Sequence, residues 1–427
     1  MKNWYKLDNA GKLFPAVQNR KKTSVYRISA IMDSPIDALY LQQATDTVAR
    51  RFPMFLVKLH RGVFWNYLEH RKNPLMVEEE QHYPCQSINV SDNNRYLLKV
   101  LYFQNRISVE FFHVLADGFG ATEFLKSLLF YYLSYCGYKV EAEGQILLED
   151  DGTDPSESED SFKRYSKSVY YESFSNRNAY HIKGTPFEQY GFNAVHGVVS
   201  ACELNTLAKK HDTTITAYLT ALLIYSTYQT RVAGEGSKTP IVAAVPVNLR
   251  KLFPSKTLRN FFGVVNIGAV VSEYTTMEDL IGLCHDMLKH KTSPLHLQNI
   301  LCSNVARENN SLAKMVPLPI KKWLIRLGFQ MLGERKTSLT ISNLGRIRLP
   351  ESMSKYVQQV ETLVYPSPQN PINCGISSVG DRLTITFVRS ITEADILQYF
   401  FSYLTSEAGL SVELYSNGWG EAHDEMF

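Results

Sequence analysis

One short run in this sequence can move a proton. In His113-Val114-Leu115-Ala116-Asp117-Gly118 an imidazole comes shortly before a carboxylate and a glycine. A neutral imidazole near pH 7 takes a proton from a hydroxyl, amine or thiol as that group attacks a carbonyl. Period-two alternation in Ile107-Ser108-Val109-Glu110-Phe111-Phe112-His113 puts the imidazole on the face of Ile107, Val109 and Phe111, where apolar surroundings disfavour its charged form. Asp117 could pair with an arginine and fix the loop, and Gly118 permits backbone angles closed to other residues. The plainer alternative is a satisfied histidine at a strand end, with Asp117 merely starting a turn. A strand end, a glycine-containing turn and a following helix favour the reactive reading, because α/β proteins expose reactive side chains there.

Ser338-Leu339-Thr340-Ile341-Ser342-Asn343-Leu344-Gly345 sets Ser338, Thr340 and Ser342 on one strand face, where a hydroxyl could donate to a developing oxyanion. Ser342 and Asn343 are the candidates, against the alternative of a strand-end turn. Other motifs fail on spacing. Gly234-Glu235-Gly236-Ser237-Lys238-Thr239 lacks the order of a phosphate loop, and Gly375-Ile376-Ser377-Ser378-Val379-Gly380 has one residue too many for a nucleophile elbow. Cys284, His285, His290 and His296 could suggest a metal, but five residues of separation turn His290 away from His285 on a helix, so no metal is expected.

Elements that could hold these residues are legible. Residues 23 to 33 alternate like a strand, Ser34-Pro35 reads as a helix N-cap and first position, and that helix runs to about Arg51 before Pro53. Residues 54 to 68 read as a hairpin turning near Arg61-Gly62, with strands at 96 to 101 and 106 to 114. After Gly120 the stripe Phe124, Leu125, Leu128, Leu129, Tyr132, Leu133 predicts a helix. Residues 141 to 161 are acidic with little to bury and read as a solvated linker. Beyond it, strands at 193 to 201, 241 to 247, 261 to 271, 337 to 342, 372 to 378 and 383 to 388 alternate with helices at 202 to 210, 213 to 228, 277 to 290 and 392 to 407. Both halves therefore read as α/β, mixed sheets with packed helices.

A chain of 427 residues, 44% hydrophobic, is long enough for two cores, with domains at 1 to 165 and 181 to 427. Net charge +3 is too balanced for a dedicated binder of nucleic acid or anionic membranes, so any basic site should be local. Met1 to Asp8 lacks the apolar core of a signal peptide, and no run approaches a membrane span. The six cysteines show no Cys-x-x-Cys pair, and the chain reads as a reduced, cytoplasmic monomer.

Phe112-His113-Val114-Leu115-Ala116-Asp117-Gly118 resembles the His-His-x-x-x-Asp-Gly signature of the CoA-dependent acyltransferase superfamily, which includes chloramphenicol acetyltransferase and condensation domains. Leu7-Asp8-Asn9-Ala10-Gly11-Lys12-Leu13-Phe14-Pro15, Pro246-Val247-Asn248-Leu249-Arg250 and Ile341-Ser342-Asn343-Leu344-Gly345 look nearest to bacterial alcohol acetyltransferase-like proteins. The resemblance implies two chloramphenicol-acetyltransferase-like subdomains forming a pseudo-dimer around a central tunnel. It implies an acyl-CoA donor, acyl transfer, in the form of acetyl transfer, to an alcohol or amine acceptor, His113 as general base, and no covalent acyl-enzyme. It makes Asp117 structural, with Arg250 as candidate partner. Phe112 replaces the first signature histidine. The plant branch's Asp-Phe-Gly-Trp-Gly is missing, since Asn417-Gly418-Trp419-Gly420 lies too near the C-terminus. A non-catalytic or carrier-dependent module that holds a phosphopantetheine arm or an apolar ligand is the alternative.

Overall fold

The computed structural model describes residues 4–88, 94–167, 177–188, 191–233, 238–309 and 315–418. Gly234 to Ser237, Trp419 and Gly420 lie outside the described residues. The first half supplies strands β1 (Trp4–Lys6), β2 (Val25–Met32), β3 (Val57–Arg61), β4 (Asn66–His70), β5 (Val77–Glu79), β6 (Leu98–Phe103) and β7 (Arg106–Phe112). The second supplies β8 (Asn193–Ser200), β9 (Ile241–Asn248), β10 (Phe262–Ala269), β11 (Leu339–Arg346), β12 (Val357–Leu363), β13 (Ile372–Val379), β14 (Arg382–Arg389) and β15 (Glu413–Ser416). They form a five-stranded sheet in the order β12-β2-β7-β6-β5, a seven-stranded sheet in the order β10-β9-β11-β13-β14-β8-β15, and a small sheet β1-β4-β3. Both large sheets are mixed: β5 runs parallel to β6, and β11 runs parallel to β9 and β13, among otherwise antiparallel neighbours.

Each large sheet has its own core. The helices Ala38–Arg51 and Gly118–Tyr135 bury Leu41, Ala44, Val48, Phe124, Leu125 and Leu128 with the β2 and β7 side chains. Phe124 meets the rings of Phe52 and Phe111 edge-on at 5.4 and 5.7 Å. Aromatic rings favour this geometry because an electropositive edge then meets an electronegative face. In the second half, the helices Ile215–Arg231, Met277–Lys291 and Asp395–Ser406 supply buried residues such as Leu222, Leu280 and Phe400. The helix Ala38–Arg51 is capped by Asp37, whose carboxylate accepts from the amides of Leu39 and Tyr40, and not by the expected Ser34. A carboxylate beside the positive end of a helix explains the later start.

Two expectations need correction. The acidic segment 141 to 161 is solvated along much of its length but is docked and not a free linker: Glu157 is buried and takes a bidentate pair from Arg51 at 2.8 and 2.6 Å. The Glu157 carbonyl also accepts from the Leu258 amide at 2.8 Å. Glu149, Asp154 and Glu159 pair with Arg50, Lys256 and Arg164. Three of these four cations lie nearly a hundred residues or more from their carboxylates in sequence, so composition alone could not show that the segment docks. The division of the chain at the linker is also crossed, because β12 pairs antiparallel with β2 and so belongs to the first half's sheet. Its Gln359, Glu361 and Thr362 are buried, which hides the strand from any search for apolar alternation.

β12 also packs on β13 and β14, and this seam joins the halves. Ser377 Oγ donates to the Val360 carbonyl at 2.8 Å and accepts from Thr362 Oγ1 at 3.0 Å. The approach is so close that a Cβ at Gly375 would sit 2.0 Å from the Thr362 carbonyl oxygen. Gly375→Ala should therefore destabilise the protein by about 2 kcal/mol, as overpacking against backbone does. Thermal melting checks it, and an unchanged Tm would show that the seam is loose.

Candidate active site

β7 ends at Phe112, so His113 is the first residue beyond the strand; its amide donates to the Ser24 carbonyl at 2.9 Å. Aromatic rings from three separate segments enclose it. Phe14 stacks on the imidazole with centroids 4.2 Å apart, Tyr26 meets it edge-on at 4.9 Å, and Phe262 lies at 5.3 Å. Burial pushes the His113 pKa below its ordinary 6.5.

The proton's position on the ring follows from its neighbour. Asn260 Nδ2 donates to the His113 carbonyl at 3.0 Å and to Asp8 Oδ2 at 3.3 Å, both acceptors. Asn260 Oδ1 must then face the imidazole, where it lies 3.0 Å from Nδ1. An amide oxygen accepts only, so Nδ1 carries the hydrogen and Nε2 keeps its lone pair. Asp8 is fully buried; its Oδ1 accepts from the Gly11 amide at 2.6 Å, and its Oδ2 lies 3.3 Å from the Arg259 guanidinium. Asn260 and Asp8 were not expected as site residues. The only signal for Asp8 was its place in the run Leu7 to Pro15, and Asn260 had none.

Asp117 caps the helix Gly118–Tyr135, accepting from the Gly120 amide at 3.3 Å. Its other oxygen accepts from Arg250 Nη1 at 2.7 Å and from the Phe261 amide at 2.8 Å. Arg250, just past β9, also donates to the carbonyls of Thr257 and Arg259 and lies 4.5 Å over the Phe119 ring. Each guanidinium nitrogen has an acceptor, which keeps this buried pair from being an uncompensated cost. The Tyr26 hydroxyl is within hydrogen-bond distance of the Ala116 and Asp117 carbonyls and fixes the turn. Gly118 has no positive φ; its role is close approach, since a Cβ there would lie 2.5 Å from Leu344 Cδ2.

His113, Asp117, Gly118, Ser342 and Asn343 all line one cavity of about 650 Å³ between the halves. β11 runs along it, and its eight residues span on the order of 25 Å. Leu332, Gly333, Glu334 and Thr337 line the cavity before the strand, and Arg346 and Arg348 line it at the far end. Arg346 and Arg348 are exposed at one end of this lining and Leu332 at the other. Lys22 and Glu334 pair at 2.8 Å at the first end, and Lys126 joins the arginines in the lining. Asn343 is occupied structurally, with Nδ2 donating to Thr216 Oγ1 and Oδ1 accepting from the Gly345 amide at a bulge in β11. Ser342 Oγ has no such partner among the described residues. Ser338 is buried, and its hydroxyl accepts from the Val242 amide. His285 turns to Thr213 and Cys284 lies in the core; among the described residues no group of three or more His, Cys, Asp or Glu could hold a metal.

Neither a family model nor a curated protein matches this sequence. Solved structures match along nearly its whole length. TRI101 of F. graminearum, solved with coenzyme A and deoxynivalenol, has a TM-score of 0.64 at 9% identity over 96% of this chain and 99% of that one. The starter condensation domain of rhizomide synthetase, solved with C8-CoA, has a TM-score of 0.59 at 13% identity over 95% of each chain. The chain has the fold of CoA-dependent acyltransferases and condensation domains. A third such structure, the TRI3 trichothecene 15-O-acetyltransferase from Fusarium sporotrichioides, has a TM-score of 0.59 at 11% identity over 94% of this chain and 95% of that one. In this acyltransferase fold, the two-sheet architecture and the cavity between them agree with the expectation from sequence.

Imidazole ¹⁵N shifts should show His113 neutral at pH 7, protonated at Nδ1 and titrating below 6.5. A ring charged at pH 7, or one carrying its hydrogen on Nε2, would contradict the geometry.

Proposed function

We propose that this protein transfers an acyl group from acyl-CoA to a hydroxyl or amine acceptor, with His113 as general base. The observation that carries the reading is the buried imidazole whose Nδ1 faces Asn260 Oδ1, placed in a cavity whose lining includes exposed residues at both ends.

The donor enters at the Arg346 and Arg348 end, where exposed guanidinium groups with no carboxylate paired to them among the described residues suit the phosphates of CoA. Several phosphates suit two arginines better than the single phosphate of a carrier-bound arm, which favours free CoA over a carrier protein. The acceptor enters past Leu332 and Glu334. His113 Nε2 takes the acceptor's proton as its oxygen or nitrogen attacks the thioester carbonyl. The oxyanion of the tetrahedral intermediate accepts a hydrogen bond from Ser342 Oγ. The carbon–sulfur bond then breaks, and the departing thiolate recovers the proton from the imidazolium. Nothing is oxidised and no acyl-enzyme forms, so catalysis rests on positioning and one proton relay. Asp117 and Arg250 act by holding the turn. Transfer of an acetyl group to an alcohol is the specific form we favour, in a monomer of the cytoplasm, where six unpaired cysteines remain reduced.

His113→Ala should lower thiol release from acetyl-CoA in the presence of an alcohol panel by about 100-fold or more. A folded variant with near-normal turnover would remove His113 from the mechanism. No turnover of any acyl-CoA by the wild-type protein would favour a non-catalytic binding module. Replacing Arg346 and Arg348 together by alanine should raise the KM for acyl-CoA roughly tenfold with little change in kcat. Steady-state kinetics reads both, and an unchanged KM would move the donor to the other end.

A further inference from the structure

The helix Leu318–Leu332 has its apolar stripe on the wrong side for a core helix. Only Leu318 and Lys321 are buried. Ile320, Trp323, Leu324, Leu327 and Met331 follow one another at helical spacing, and all are 40 to 62% exposed. The tip of the β3-β4 hairpin extends this surface. The Val63 carbonyl accepts from the Leu318 amide, the Phe64 carbonyl accepts from Lys321 Nζ at 3.1 Å, and Val63 and Phe64 are themselves exposed.

The charge carried by the helix itself has one sign. From Met315 to Gly333 the sequence contains no acidic residue, while it carries Lys321, Lys322 and Arg326. Lys322 is held below its ordinary pKa first by burial and then by the positive charges of Arg61 and Arg326. Neither Arg61 nor Lys322 has a carboxylate partner among the described residues. Arg61 and Lys322, close together and without a carboxylate partner among the described residues, beside exposed Trp, Leu, Ile and Met, are the chemistry of a helix lying in a lipid headgroup layer. A second copy meeting this face by twofold symmetry would set the cations against themselves.

We propose that the helix Leu318–Leu332 and the hairpin tip seat this protein on a phospholipid surface with anionic headgroups. No helix among the described residues is long and apolar enough to cross a membrane, so the attachment is peripheral. The near-neutral net charge hides this surface because the patch is local. Phe329, Leu332 and Gly333 of the same region line the cavity, so the seated protein holds one mouth of the cavity at the lipid surface. Given the acyl-transfer reading, on which this last step alone rests, acceptors that partition into the bilayer reach His113 from that mouth.

The test is co-sedimentation of the full chain with vesicles of phosphatidylcholine, with and without a one-third share of phosphatidylglycerol. Binding should be roughly tenfold stronger to the anionic vesicles. The double substitution Leu324→Glu and Leu327→Glu, at exposed positions outside the cavity, should cut it roughly tenfold or more at unchanged Tm. Brominated lipid should quench tryptophan emission in the wild type and much less in Trp323→Phe. Absence of vesicle binding, or binding that the glutamates leave intact, overturns the proposal. A dimer in light scattering that the same glutamates dissolve assigns the face to a second copy and also overturns it. Vesicle binding by His113→Ala, and turnover of a water-soluble acceptor by the glutamate variant, separate this proposal from the proposed activity.

Discussion

The site depends on one buried ion pair. Asp117 begins a helix of the first half, Arg250 follows a strand of the second, and their 2.7 Å contact fixes the turn that carries His113 against the opposite sheet. Two charges taken out of water are stable only when every remaining donor and acceptor is met. Here the carboxylate also accepts from two backbone amides, and the guanidinium also donates to loop carbonyls. Breaking such a pair from one side costs about 3–5 kcal/mol, enough to loosen the contact between halves before any chemistry is considered.

That anchoring gives the second network its precision. Asn260 lies one residue from Phe261, whose amide is bound to Asp117, so the ion pair places the amide side chain that sets the His113 tautomer. Asp8 holds Asn260 from the other side and is itself held by Arg259 and the Gly11 amide. A buried aspartate thus orients an asparagine, which orients a histidine, with no charge placed directly on the imidazole. The ring stays neutral because aromatic side chains exclude water from it, and Nε2 keeps the lone pair that a base requires.

The parts of this arrangement that were legible in the sequence are local ones. His113, Asp117 and Gly118 share one turn, and strand and helix periodicity around them needed no distant partner. Arg250 was named as the partner through the family resemblance that Pro246-Val247-Asn248-Leu249-Arg250 helps to carry; its place after a strand would equally have suited an exposed arginine. What was not legible depends on distance in the chain. Asn260 meets His113 across 147 residues, and Glu157 meets Arg51 across 106, so a connecting loop and an acidic run gave no sign of burial. β12 was hidden for a different reason: its polar side chains are buried between two sheets and leave no alternation to read. The helix Leu318–Leu332 shows a regular apolar period, yet periodicity does not say whether the stripe faces a core or the outside.

The central claim is that a neutral His113 takes the acceptor's proton. The most direct measurement is the pH dependence of kcat/KM for acyl-CoA in the wild type and in His113→Gln. The account predicts a wild-type rate that falls as pH drops through an inflection below 6.5, and residual activity in the variant that lacks this inflection. The same inflection in both proteins would contradict it, because the titrating base would then be another group.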